Sequence, residues 1–86
     1  MKAQDPLFTL ISSLDKQEKI YFKGHFLTKT NTDHLLLFNG IEKQKSYDEQ
    51  KLRAELRGKI SLSRLAQMKN YLFHQVLESL TLFYSD

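Results

Sequence analysis

Apolar residues recur along this chain at intervals of three and four, the spacing of one face of a helix. Leu7, Leu10, Ile11 and Leu14 form the first such set. Asp5 stands before them, with a carboxylate able to accept from free N–H groups at a helix start, and Pro6 loses nothing at the first helical position by lacking its own N–H. The second helix opens on Asp15-Lys16-Gln17-Glu18, an acidic relative of the capping box, and runs to about Leu27 with Phe22 and Phe26 stacked at i,i+4. Thr28 to Thr32 are polar and cap-forming, so a loop is expected there. A third helix, about Asp33 to Gln44, buries Leu37, Phe38 and Ile41. The fourth, about Tyr47 to Arg57, carries Leu52 and Leu56 and stops at Gly58, which suits the left-handed position after a helix. The last starts near Ser61 or Ser63 and runs towards Tyr84, roughly 30 Å or slightly more. No stretch alternates apolar and polar residues long enough to make a strand, and no internal repeat is visible. The pattern predicts an all-α fold, a compact bundle of about five helices with a long C-terminal helix.

Composition strengthens that reading. Leucine occurs 15 times against five Ile plus Val, and unbranched-β side chains favour helix where β-branched ones favour strand. At 86 residues the chain is sized for one domain over 1–86, and a domain this small buries only about 60–65% of its unfolded surface. Its 41% apolar content is enough to fill such a core, and neither low complexity nor extreme charge points to disorder. Zero cysteines exclude disulfides, thiolate zinc sites and thiol catalysis. The longest aliphatic and aromatic run, Leu35 to Phe38, is far short of the ~20 residues of a membrane span. Lys2 precedes an apolar patch, but Asp5-Pro6 interrupts the approach and no small-residue cleavage site follows, so no signal peptide and a cytoplasmic location are expected.

The last helix is the informative one. Projected at 100° per residue, Met68, Leu72, Val76, Leu80 and Phe83 lie within about 60° of Leu65, and Phe73, Leu77 and Tyr84 widen the arc to about 120°. Tyr71 and Leu82 stand apart, near 240–260°. A helix packed on one side needs a stripe of a little over ~100°, so this one either runs through the middle of the domain or meets another chain at its C-terminal end. Lys69 falls inside the apolar arc, at about 40°. Two readings fit it: a packed stem with the ammonium in water, or an ammonium that meets a carboxylate or a partner's helix C-terminus. The candidate protein interface is Lys69, Leu77, Leu80, Leu82, Phe83 and Tyr84.

The stretch 7–23, with residues 68–73, 37–44 and 47–49, resembles the N-terminal region of large bacterial helical-repeat proteins of tetratricopeptide-like type. The resemblance implies an all-helical module that caps or recruits a helical-repeat array, and it implies no catalytic residues. The family's longer members continue into repeats beyond the point matching Asp86.

Signals for chemistry are weak. No two of His25, His34 and His74 have the i,i+4 spacing that places two imidazoles on one metal, and no metal or cofactor site is expected. His74 and Glu78 share a helical face as a solvated pair. Ser13 and Lys16 match a bare S-x-x-K, but at a helix start, where Ser and Asp serve as caps. Gly24, Gly40 and Gly58 are isolated and build no phosphate-cradling loop; inside helices, Gly24 and Gly40 suggest close helix approach.

Nucleic acid is the rival partner. From Lys51 to Lys69 six cations face Glu55 alone, a net +5 in a chain that nets +3. Ala54, Gly58 and a helix from about Ser61 reproduce the Ala-to-Gly spacing of a helix-turn-helix, with Lys51, Arg53, Arg57, Lys59 and Arg64 as phosphate contacts. The match fails at Lys59, where an apolar turn residue usually inserts, and at Arg64, where a buried Val or Ile normally locks the second helix. Charge runs on helical proteins are usually solvated faces. The expectation is therefore a non-catalytic protein–protein interaction module, with a protein or helical-repeat partner or a second copy, no membrane and no small-molecule substrate; the alternative is a helix-turn-helix-like nucleic-acid-binding domain.

Overall fold

The computed structural model describes residues 5–27 and 32–85. Five α-helices make up the described fold, in the order α1 (Pro6–Ser13), α2 (Lys16–His25), α3 (Thr32–Glu42), α4 (Glu49–Leu56) and α5 (Leu65–Phe83), with a 3-10 turn (Leu62–Arg64) leading into α5. The fold is all-α, a compact bundle with a long C-terminal helix. No helix among the described residues is long and apolar enough to cross a membrane.

The helix starts follow from local chemistry. Asp5 Oδ2 accepts from Phe8 N at 2.9 Å, and Pro6 occupies the first helical position. Asp15 and Glu18 close the capping box in both directions, each bond 2.8 Å. Only Leu14 and Asp15 separate α1 from α2, because one cap follows directly on the preceding helix end. The expected loop falls mostly outside the described residues; its last member, Thr32, begins α3 instead.

Several helix boundaries differ from the periodic reading. α2 ends at His25 rather than Leu27, although Phe26 N still bonds Phe22 O at 2.9 Å and the two rings stack at 5.6 Å. α3 ends at Glu42 and α4 starts at Glu49, later than Tyr47. Gln44 leaves the helix to clasp the backbone of Asp48, its amide donating to Asp48 O at 3.0 Å and accepting from Asp48 N at 3.1 Å. Asp48 then caps α4 by accepting from Lys51 N. Gly58 takes φ 80°, the left-handed value expected after α4, and lets Lys59 N and Ile60 N both return to Leu56 O. Ser61 and Ser63 bond each other and cap nothing, so the chain enters α5 through the 3-10 turn.

α5 packs on α1, α2 and α3, whereas α4 packs chiefly on α3. The core joins all five helices: Phe22, Leu37, Phe38, Ile41, Leu52 and Val76 are wholly enclosed. Phe22 and Phe38 bring α2 and α3 together with ring centroids 5.2 Å apart. α5 contributes Leu65, Met68, Leu72, Val76 and Ser79, a stripe spaced by threes and fours. Gly40 does sit at a close approach: a β-carbon there would lie 2.9 Å from Leu52 Cδ1 of α4. Gly24 does not, since a β-carbon there would meet nothing within 4 Å.

Candidate interaction surfaces

The stripe that α5 buries ends at Ser79, one turn short of the helix terminus. Beyond it the apolar residues divide between two flanks. Leu77 and Tyr84, at about 100–120° on the helix, are 40% and 65% exposed, with the half-buried Phe73 and Leu80 beside them. Spaced four, three and four apart, Phe73, Leu77, Leu80 and Tyr84 make a ridge. Leu82, 50% exposed, and Tyr71, 45% exposed, lie about 140° away on the other flank, where Tyr71 meets the ring of His34 at 5.0 Å. Leu82 is thus separated from the other candidate interface residues.

Phe83 and Tyr84 are tethered to α2. The Phe83 ring meets the edge of Tyr21 at 5.2 Å, and Tyr21 stacks on His25 at 4.1 Å. The Tyr84 hydroxyl donates to the Glu18 carboxylate, which pushes the phenol above its ordinary pKa. Glu18 therefore serves twice, once to cap α2 and once to hold the far end of α5. Phe83 is a half-buried packing residue, and Tyr84 presents its ring to solvent while its hydroxyl is held.

Lys69 lies at the opposite end of α5 and takes no part in this surface. Its ammonium meets Asp5, donates to Tyr47 Oη at 2.8 Å and lies 3.6 Å from Glu49. Its side chain is 15% exposed and that of Asp5 9%. Burial by itself pulls the ammonium pKa down, but the bonds to Asp5 and Tyr47 outweigh it and raise the pKa above the usual lysine value. Tyr47 packs against Phe8 of α1 at 5.7 Å, lies under the Lys69 ammonium at 4.9 Å and donates to Glu49 at 3.1 Å. Its own pKa is raised, through burial first, with Lys69 opposing. Arg53 and then Tyr47 bond the Glu49 carboxylate and hold its pKa below the ordinary 4.5. Asp5, Lys69, Tyr47, Glu49 and Arg53 form one continuous lock across α1, α4 and α5; the sequence offered Lys69 and Arg53 as contact residues and Asp5 as a helix cap.

The basic segment is dispersed by the same packing. Arg53 turns to Glu49 at 3.0 Å, while Arg57 and Arg64 are exposed at turns. The helix-turn-helix geometry does not form: residues 57–64 separate α4 from α5, including an isolated parallel bridge between Arg57 and Ile60, and α4 packs chiefly on α3 while α5 packs chiefly on α1 and α2. Lys51 and Lys59 do come together, with Lys43 and Lys45, around two adjoining hollows on the α3–α4 face. Lys43 and Lys45 lie outside the basic stretch, so linear charge counting missed them.

No family model, curated protein or solved structure matches this chain.

Proposed function

We propose that this protein is a non-catalytic, cytoplasmic protein–protein interaction module that docks a partner helix on the exposed ridge of α5. The observation that carries this reading is the exposure of Leu77 and Tyr84 on one flank of a helix whose other face is core. An apolar ridge flanked by polar residues on a small domain loses unfavourable hydration when a partner's apolar face covers it. Leu77 and Tyr84 are about 10 Å apart along the axis, the reach of two turns of a facing helix. A helical-repeat array offers such faces, in keeping with the resemblance to helical modules that cap or recruit one; a second copy of the chain presents the same ridge.

Leu77→Ser with Tyr84→Ser tests this, because neither side chain belongs to the buried stripe. Sedimentation equilibrium and affinity capture on immobilised protein are compared for wild type and variant, with circular dichroism as the folding control. A dimer or a captured helical-repeat protein, lost in a variant of unchanged helicity, is the expected result. A wild type that stays monomeric and captures the same proteins as the variant ends the reading.

A further inference from the structure

The α3–α4 face carries a second surface, different in chemistry and independent of the α5 ridge. α3 and α4 approach closely because Gly40 leaves room for Leu52, and this draws the end of α3 alongside the outward face of α4. Two hollows open along the seam, of about 550 and 300 Å³, and they share Lys43 and Glu55 as their divide. Lys45 and Lys51 line the larger hollow, Lys59 the smaller. Only one of these four ammonium groups is answered from within: Lys43 bonds Glu55 Oε2 at 3.0 Å. Lys45, Lys51 and Lys59 are exposed and join no ion pair among the described residues. Asp48, the other acid of the seam, is committed to capping α4 through Lys51 N. Three unanswered positive charges therefore line one seam, whose α4 part from 51 to 56 rises about 7.5 Å.

The smaller hollow adds an apolar wall. Leu36 is half-buried there and Leu56 is buried, with Gly40 between them. Lysines along the seam and an aliphatic wall in its smaller hollow match a linear segment that carries several carboxylates and one aliphatic side chain. The wall chooses between peptide and nucleic acid: an aliphatic side chain finds an apolar contact there, and a phosphodiester backbone has none to offer. Glu55, with one oxygen on Lys43 and the other enclosed, stays within the seam as the divide between the hollows. No aromatic side chain lines either hollow to stack a base. We infer that the Lys43–Lys45–Lys51–Lys59 seam is a docking groove for an acidic peptide segment.

The test is fluorescence anisotropy at low salt with three labelled probes. They are a twelve-residue peptide of Glu and Asp with one central Leu, the same peptide with Gln and Asn for the acids, and a short DNA duplex. Two variants change net charge equally: Lys51→Glu with Lys59→Glu in the groove, and Lys16→Glu with Arg64→Glu outside it. The acidic peptide should bind saturably, the neutral one should not, and the groove variant should lose about tenfold while the outside variant loses less than about threefold. In amide NMR spectra the shifts on titration should fall on residues 36–59. Four outcomes overturn the inference: no binding of the acidic peptide, equal binding of the neutral one, equal loss in both variants, or tighter binding of the duplex. Because no α5 residue is changed, failure here leaves the ridge untouched, and failure of the ridge leaves the groove.

Discussion

The two ends of α5 share a helix and a leucine-rich pattern, yet one is closed and the other open. At the Lys69 end, three groups from two sequence-distant segments converge on a single ammonium: Asp5, the cap of α1, and Tyr47 and Glu49 on either side of α4's cap. At the Tyr84 end, α2 reaches over through Glu18 and Tyr21, and Leu77 and Leu82 are exposed. Hydrophobic pattern decides which residues face inward, but closure depends on how many other elements arrive at each level of the helix. α1, α3 and α4 each reach the first half, at Lys69 and Tyr71.

The largest expected effect compares a leucine from each half. Leu72→Ala removes a fully enclosed side chain and should cost about 2–5 kcal/mol. Leu77→Ala, at 40% exposure, should cost less than about 1 kcal/mol. Urea denaturation of both variants measures the contrast. Losses within error of each other would mean that the second half is core as well.

Next in size is the lock itself. Lys69→Met leaves Asp5 as an uncompensated charge and strips the Tyr47 hydroxyl oxygen of its donor. Because Asp5 keeps the Phe8 N–H bond, the expected cost is about 2 kcal/mol, below the ~3–5 of a pair with no other support. A double-mutant cycle with Asp5→Asn should show positive coupling, and additive losses would mean the two groups act separately.

The same lock predicts a pH response with a fixed sign. Glu49 titrates below its ordinary 4.5 in the folded protein, so its contribution is complete above that value and is lost as pH falls through the lowered pKa. Lys69 has the opposite sense, its contribution being complete below 10.5 and lost as pH rises through the raised value. Between these limits neither group changes stability. The gap in urea midpoint between wild type and Glu49→Gln should be constant from pH 6 to 8 and shrink towards pH 3. A gap as large at pH 3 as at pH 7 would remove Glu49 from the lock. Its half-exposed carboxylate keeps the effect small.

What was legible in the sequence divides along the same line between local and distant partners. The Asp5 and Asp15–Glu18 caps and the Gly58 turn involve residues four apart or fewer, so their types and spacing specify them. The clasp of Gln44 on Asp48 was also local, but it breaks a helical pattern rather than continuing one, and periodicity read straight through it. Lys69 stood out as a cation in an apolar arc, while its partners lay 64 and 22 residues away at Asp5 and Tyr47, beyond any spacing rule. The lysine groove was hidden for the same reason: Lys43 and Lys45 precede α4, and only the α3–α4 packing sets them beside Lys51 and Lys59.

The smallest effect sharpens the comparison from the helices that serve each end. Gly24 sits near the end of α2, which holds Tyr84, and Gly40 in α3, which packs behind the closed half. Both carry helical backbone, so alanine at either position removes about 0.5–1 kcal/mol of unfolded-state freedom and helix penalty. At Gly24 nothing opposes that gain, because a β-carbon meets nothing within 4 Å; Gly24→Ala should stabilise by that amount. At Gly40 the new methyl must displace Leu52 Cδ1 from 2.9 Å, and Leu52 is wholly enclosed, so the shift is made within the packed core. Overpacking of this kind costs about 1–3 kcal/mol, which outweighs the gain, so Gly40→Ala should be destabilising overall. Thermal melts of the two variants should therefore move in opposite directions. A shift upward in both would show that the α3–α4 seam has slack, and a groove built on a rigid seam would lose its support.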